Sequence, residues 1–192
     1  MKCKVWTHIP TRDPEYKAGF IDKLIGIKSK IEIDGKTYIA THTEFQFSER
    51  KGGLSVSATW QDKCGCVRFK LINYLKHPLR WIPIDIDLTD EQEDYLFRMA
   101  CSACGLALQT PYTLVWERCH RDGVAHGRKP TRYDTLGVII CNISHRRIIP
   151  GFGNRVWCTE CVVELLQNLP EFTLRLPLKP DEYRPDTLWR AL

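Results

Sequence analysis

The feature that most constrains the fold is a period-two alternation of apolar and polar residues, which recurs between Lys30 and Leu88. It is clearest in residues 54–60, where leucine, valine, alanine and tryptophan alternate with serine and threonine. Side chains along a β-strand point to opposite faces in turn, so the pattern predicts strands with one buried and one polar face. With further strands predicted at 66–72 and 81–88, this half of the chain is expected to form an antiparallel sheet.

A hairpin is predicted ahead of these strands. Asp34-Gly35 is a typical two-residue turn, and it joins a strand that starts at Lys30 to a second arm from Thr37 to Phe47. In that arm His42 and Glu44 are two residues apart and therefore share a face. The face is polar, so we expect it to carry chemistry.

The periodicity becomes helical at Thr89. Thr89 and Gln92 form a capping box, apolar residues follow at helical spacing, and Gly105 is placed as the C-terminal cap. A second helix is predicted over 157–169 and opens beside Cys158. Strands followed by helices predict an α+β fold in which an antiparallel sheet packs against helices.

Other segments carry weaker signals. Residues 1–20 have scattered charge and two prolines, and we interpret them as a loop or a short helix. Residues 117–131 are polar and contain glycine, which predicts a long loop that is a candidate lid; whether it closes over a substrate is left open. A buried helix is predicted at 133–143 and a turn at 150–154.

The length of 192 residues favours one domain, which we assign to residues 1–169. Residues 170–192 hold four of the eleven prolines, so they are expected to lie extended on the domain surface. The apolar runs are all far shorter than a membrane span requires, which predicts no membrane-spanning segment.

The net charge and the cysteine content limit the possible binding partners and the cellular compartment. The net charge of +5 is too small for a dedicated nucleic-acid binder, although basic residues cluster between Arg118 and Arg155. The nine cysteines are odd in number, and no apolar signal segment follows Lys2 and Lys4. We therefore predict a reducing, cytoplasmic location, which for a phage-encoded protein would be the host cytoplasm, and no nucleic-acid partner.

The spacing of the cysteines allows a zinc site. Three close pairs occur, at Cys64/Cys66, Cys101/Cys104 and Cys158/Cys161. Zinc knuckles place such pairs on turns, whereas Cys101 and Cys104 fall in the last turn of a predicted helix. A zinc-containing, non-catalytic binding module that contacts nucleic acid is the alternative function, but our main interpretation assigns no metal and no cofactor.

Cys158 differs from the other cysteines because it begins a helix. Unpaired N–H groups and the helix dipole favour a thiolate there, and the same N–H groups can stabilise an oxyanion. Thiol chemistry also needs a base, and His42 with Glu44 on the same strand face is the best candidate among the six histidines.

These motifs, taken in order, resemble the circularly permuted papain-fold hydrolases. The set comprises the strand around Thr41–Phe45, the capped helix ending at Gly105 with Tyr112 beyond it, Tyr133-Asp134, and Trp157–Glu160 at the start of the late helix. This group is related to NlpC-type peptidases and has phage- and virus-encoded members. Its histidine lies on an early strand and its cysteine on a late helix, as here, and the resemblance covers roughly residues 38–168.

The resemblance implies a cysteine hydrolase, either a peptidase or amidase or an acyltransferase. Cys158 would be the nucleophile and His42 the base, with a peptide, amide or lipid ester as substrate. The third member of the site stays open between Glu44 and Ser57 on the next strand. Members commonly carry Cys-Ser-Glu at the nucleophile, and here Thr159 replaces the serine. Hydrolysis or transfer, the scissile bond and the oligomeric state are left open, as is a papain-like fold without activity.

Overall fold

A computed structural model describes residues 2–17, 19, 23, 28–59, 66–72, 76–133 and 155–192. The protein is α+β, with a six-stranded antiparallel sheet packed against helices, as predicted. The strand order is β7-β1-β4-β5-β6-β8. The six strands are β1 (Lys2–His8), β4 (His42–Gln46), β5 (Leu54–Ala58), β6 (Val67–Leu71), β7 (Trp81–Asp87) and β8 (Val124–Ala125).

Two smaller pairs accompany the sheet. β2 (Lys30–Ile33) and β3 (Lys36–Ile39) form an antiparallel hairpin, whereas β9 (Arg132–Tyr133) and β10 (Arg155–Val156) pair in parallel. Asp34 and Gly35 both have positive φ in the hairpin turn, which confirms the predicted turn. The helices are α1 (Asp90–Ala103), α2 (Tyr112–Asp122), α3 (Cys158–Leu166), α4 (Pro170–Arg175) and α5 (Pro185–Ala191).

The prediction of one continuous strand from Thr37 to Phe47 is wrong. The chain changes partner at its midpoint: Ala40 N–H donates to the Ser29 carbonyl, and Thr41 N–H donates to the His8 carbonyl. β3 therefore stays in the small hairpin while β4 enters the main sheet. The break places His42 at the first position of β4.

Strand β1 occupies the first part of residues 1–20, where a loop or short helix was expected; a short 3-10 helix follows at Pro10–Arg12. β1 lies between β7 and β4 and pairs antiparallel with both. Cys3 and Val5 point into the core, and Lys2 and Lys4, which alternate with them, point away. This strand brings His8 directly opposite His42.

Helix α1 packs on the apolar face of the sheet. Its N-terminus carries the predicted capping box, in which Thr89 Oγ1 accepts from Gln92 N–H and the Gln92 side chain accepts from Thr89 N–H. Gly105 follows the helix with a φ of 70°, in the left-handed region that a C-terminal cap needs. Phe97 packs edge-to-face against Phe47 and at a tilt against Phe69, at centroid distances of 5.3 and 5.2 Å, which anchors the helix to β6 and the end of β4.

The predicted loop at 117–131 is helical in its first part. Residues 117–122 continue α2, whose buried side is formed by Val115 and Cys119, and Gly123 ends the helix. In the rest of the segment Gly127 N–H donates to the Cys104 carbonyl and Thr131 N–H to the Ala103 carbonyl. This tethering to the end of α1 does not favour a lid. The helix predicted at 133–143 and the turn at 150–154 lie, apart from Tyr133, outside the described residues.

Residues 170–192 are not simply extended, because α4 and α5 lie within them. Their apolar side chains join the same core as the sheet; these are Phe172, Leu176, Tyr183 and Leu188. The segment therefore packs on the domain through short helices started by prolines. None of the described helices combines the length and apolar character needed to cross a membrane.

Candidate active site

The polar face of β4 holds His42 and Glu44 side by side. His42 Nε2 lies 3.0 Å from Glu44 Oε1, as their spacing along a strand predicts. The Glu44 side chain is fully buried, while the His42 side chain keeps 20% of its surface exposed. Glu44 is thus fixed inside the protein, whereas the His42 ring reaches the surface.

An interruption in the sheet admits Cys158 to this point. Phe47 N–H donates to the Leu54 carbonyl, so the backbone N–H and C=O groups of the odd-numbered residues in β4 point towards β5. In the described residues the β4–β5 ladder nevertheless covers only Phe45↔Val56 and Gln46↔Ser55. The Thr43 N–H, which also faces β5, donates to the Cys158 sulfur instead. The start of α3 therefore occupies the place where the ladder ends.

A second contact holds α3 at the same place. Thr43 Oγ1 donates to Thr159 Oγ1 over 3.2 Å, and both side chains are fully buried. This contact ties Thr159, the residue after Cys158, to β4. The threonine hydroxyl can make this contact as a serine hydroxyl would.

The Cys158 sulfur and the His42 ring are hydrogen-bond partners. Burial alone would raise the Cys158 pKa, but the charge and hydrogen bond of His42 and the N–H of Thr43 hold that pKa below its ordinary value. Burial would lower the His42 pKa, and the negative charges of Cys158 and Glu44 raise it. Both shifts favour a thiolate beside an imidazolium.

The geometry also assigns the two imidazole nitrogens. Nε2 faces Glu44 Oε1 at 3.0 Å and Ser57 Oγ at 3.2 Å. Nδ1 is therefore the ring nitrogen that remains for the Cys158 sulfur. Glu44 and Ser57 both lie on Nε2, so the two residues left open as the third member contact the same atom.

Glu44 is held ionised by groups from two neighbouring strands. Lys70 Nζ lies 2.5 Å from its Oε1, and Ser55 Oγ donates to its Oε2 over 3.1 Å. Burial would raise the Glu44 pKa, but Lys70 and His42 together lower it to about 2. A permanent carboxylate on Nε2 stabilises the protonated ring and fixes its orientation.

Ser57 is better placed to orient than to ionise. Its hydroxyl lies 3.1 Å from the Thr43 carbonyl, which is a good acceptor for its proton. With the proton there, Ser57 Oγ can accept a hydrogen bond from Nε2–H. It therefore supports the same tautomer as Glu44.

Trp81 and His8 form a wall beside His42. The Trp81 ring meets His42 edge-on with centroids 6.2 Å apart, and it lies 4.6 Å from the ring of His8. Burial and the charge of His42 lower the His8 pKa to about 3, so His8 is neutral where His42 is charged. This wall could not be predicted from the sequence, because it depends on β1, for which the alternation in Lys2–Val5 is the only available signal.

The N-terminus of α3 presents backbone N–H groups beside the Cys158 sulfur. The first helical hydrogen bond is donated by Cys161 to the Trp157 carbonyl, so the N–H groups of residues 158–160 precede it. The buried Glu160 carboxylate accepts from Trp157 N–H over 3.2 Å and caps the turn. Trp157 Nε1 in turn donates to the Tyr183 carbonyl, which ties the C-terminal segment to the site.

The remaining described cysteines lie in the core. All seven cysteines in the described ranges are free thiols, and burial raises the pKa of Cys3, Cys101 and Cys119. Among described residues, no group of three or more histidine, cysteine or acidic side chains could hold a metal ion. Cys64, which the zinc alternative requires for its first pair, lies outside those ranges.

The structure thus brings together every residue that the sequence analysis placed at the site: Cys158, His42, Glu44 and Ser57. It adds Lys70, Ser55 and Trp81. The alternation Ser55-Val56-Ser57 on one strand and Arg68-Phe69-Lys70 on the next was the signal for the added polar residues.

The chain matches no protein-family model, no curated protein and no solved structure.

Proposed function

We propose that this protein is a cysteine hydrolase or acyltransferase of the permuted papain type, which attacks an amide or ester carbonyl through a covalent acyl-enzyme. The observation that carries the proposal is the hydrogen-bonded pair of Cys158 and His42, with Glu44 on the opposite ring nitrogen. A thiol, a base and a group that orients the base are the parts this chemistry requires.

Acylation begins at the Cys158 thiolate. Its sulfur attacks the carbonyl carbon, and the carbonyl oxygen gains a negative charge that the N–H groups at the start of α3 can stabilise. The protonated His42 then gives its proton to the leaving amine or alcohol. The bond to the leaving group breaks, and the acyl group remains on Cys158 as a thioester.

Deacylation uses the same base. His42, now neutral, takes a proton from water or from a second acceptor, whose oxygen or nitrogen attacks the thioester carbonyl. The carbon–sulfur bond breaks and the thiolate returns beside the imidazolium. Glu44 stays ionised throughout, because its pKa of about 2 lies far below the range in which His42 titrates.

Selective alkylation tests the pair. At about pH 6, where ordinary thiols with a pKa of about 8.5 are almost wholly protonated, iodoacetamide should label Cys158 before any other cysteine. His42→Ala should abolish that preference, because burial then raises the Cys158 pKa unopposed by the imidazolium. His120→Ala, at an exposed position on α2, is the matched control and should leave the labelling unchanged.

Acyl transfer is tested with p-nitrophenyl acetate and a panel of peptide amides. Mass spectrometry of the tryptic peptide that spans residues 156–175 should show an acetyl group on Cys158. His42→Ala should slow acylation by about 10²- to 10⁴-fold, the usual contribution of a general base. Uniform slow labelling of several cysteines, or acylation that survives Cys158→Ser, would contradict the proposed function.

A further inference from the structure

A second thiol stands one helical turn after the proposed nucleophile. Cys158 is the first residue of α3 and Cys161 the fourth, so the pair has the Cys-x-x-Cys spacing at a helix start. Hydrolysis as proposed above uses only Cys158 and assigns no role to Cys161. The two side chains are 5% and 6% exposed, and the charge on Cys158 affects the titration of Cys161 directly.

Helix geometry places the two sulfurs within reach of each other. Residues i and i+3 of an α-helix lie on one face with Cβ atoms about 5–6 Å apart. A disulfide requires a Cβ separation of about 3.5–4.5 Å, so the first turn must tighten by roughly one ångström. The start of a helix allows this, because the N–H groups of its first residues have no helical bond to break.

The two thiols differ as a reactive and a resolving cysteine would. Cys158 is stabilised as a thiolate by His42 and Thr43. Burial raises the pKa of Cys161, and the charges of Glu164, Cys158 and Glu160 raise it further. Cys161 therefore stays protonated and does not compete with Cys158 for an electrophile.

A cavity adjoins Cys161. It has a volume of about 420 Å³ and lies between α1, α3 and the sheet. Cys161 forms part of its wall, together with Met99 and Ser102 of α1 and Glu164 of α3. A molecule of the size of hydrogen peroxide or water fits into such a volume many times over.

We infer that Cys158 and Cys161 form a site of reversible oxidation, in which a disulfide between them protects the nucleophile from irreversible oxidation by peroxide. This inference rests on the proposed role of Cys158, although the disulfide itself is measurable without any substrate. The pair would divert the sulfenic acid of Cys158 into a disulfide before overoxidation occurs, and a thiol reductant restores both thiols from that disulfide.

The chemistry balances with hydrogen peroxide as the oxidant. The Cys158 thiolate attacks one peroxide oxygen, the O–O bond breaks, and the departing hydroxide takes the His42 proton to become water. Cys158 is then a sulfenic acid. The Cys161 sulfur attacks the Cys158 sulfur, the S–O bond breaks, and the second water leaves with the Cys161 proton. Two thiols are oxidised to one disulfide, and one peroxide is reduced to two waters.

Cys104 is the competing partner. It is buried beside Cys161, which is the neighbouring thiol that affects its titration most. Cys104 lies in α1, however, and a bond to Cys161 would join two helices across the core, whereas Cys158 shares a single turn with Cys161. The two disulfides fall in different tryptic products, because residues 99–118 carry Cys104 and residues 156–175 carry the other two.

The experiment exposes the purified protein to a small excess of hydrogen peroxide, blocks free thiols with iodoacetamide, and maps the tryptic peptides by mass. We expect peptide 156–175 to become two hydrogen atoms lighter and to lose both alkylation sites, and dithiothreitol should restore them. In Cys161→Ser and Cys161→Ala, Cys158 should instead gain two or three oxygen atoms that dithiothreitol does not remove. Cys104→Ser is the matched control and should retain the disulfide.

Two results would overturn the inference. One is conversion of wild-type Cys158 to the sulfinic form as fast as in the Cys161 variants, and the other is a cross-link between peptides 99–118 and 156–175. Both the disulfide and the cross-link are measured on the wild-type protein, so this part of the test does not depend on the folding of any variant. If the disulfide forms but no acyl-enzyme is found, the oxidation site stands and the proposed function fails. If an acyl-enzyme forms but no disulfide does, the proposed function stands and the oxidation site fails.

Discussion

At the residue scale, Glu44 is the most heavily constrained group in the site. It is a fully buried carboxylate that contacts a histidine, a lysine and a serine from three different strands. A buried charge is tolerated only where such partners replace water. The same contacts that orient His42 therefore also hold β4, β5 and β6 together.

The lowered pKa of Glu44 makes part of the folding stability depend on pH. Its pKa falls from an ordinary value of 4.5 to about 2 in the folded protein, which corresponds to about 3 kcal/mol. A depressed carboxylate pKa gives stability that is complete above 4.5 and is lost as the pH falls towards 2. We expect Glu44→Gln to lower the free energy of unfolding by about 3 kcal/mol near neutral pH, and the difference from wild type to shrink in acid.

Urea unfolding at a series of pH values between about 6 and 3 measures this difference. Glu32→Gln is the control, since Glu32 is exposed on the small hairpin and should change stability by no more than about 0.5 kcal/mol. A gap between wild type and Glu44→Gln that stays constant across the pH range would contradict a coupled, ionised Glu44.

At the element scale, α1 shows what local signals can specify. Its start is defined by Thr89 and Gln92, which exchange hydrogen bonds of 3.3 and 2.9 Å with each other's backbone, and its end by Gly105. We expect Thr89→Ala to lower the free energy of unfolding by about 1 kcal/mol, because it removes an N-cap acceptor. Ser102→Ala, exposed near the end of the same helix, should have almost no effect. Thermal unfolding followed by circular dichroism tests both, and equal losses in the two variants would exclude a capping effect.

Elements without such local signals were predicted less well. Strand β1 is buried between two neighbours, so its sequence alternates only over its first residues. The break between β3 and β4 was missed because residues 37–47 are uniformly suited to strands, and only the non-local partners Ser29 and His8 decide where the chain turns. Helix α2 buries just Val115 and Cys119. Its charged residues from 117 onward therefore show no apolar helical spacing, and a loop was predicted there.

At the scale of the whole molecule, the site depends on a contact between distant parts of the chain. Each half could be read locally: the alternation of β4 places His42 beside Glu44, and the helical spacing of α3 places Cys158 at a helix start. Their meeting could not be derived from either pattern, because it requires the β4–β5 ladder to end before Thr43. Only the resemblance in motif order pointed to it.

The C-terminal segment packs against α3 and so supports that meeting. The Tyr183 carbonyl accepts from the Trp157 indole, and Leu188 of α5 is fully buried in the same core as α3. Its prolines predicted an extended tail on the domain surface, but the segment also places Phe172, Leu176 and Tyr183 in that core. It therefore belongs energetically to the domain that carries the site.

Two leucines in this segment allow a matched test. Leu188→Ala empties a fully buried position and should lower the free energy of unfolding by about 3 kcal/mol, because it removes buried methyl groups and leaves a cavity. Leu174→Ala, at a side chain that is 85% exposed, should change it by no more than about 0.5 kcal/mol. Urea unfolding measures both values, and selective alkylation of Cys158 at mildly acidic pH reports whether the start of α3 keeps its place. If the segment were a separate tail, the two variants would be equally mild. A loss confined to Leu188→Ala, in one cooperative transition, makes the C-terminal helices part of the structure that positions Cys158.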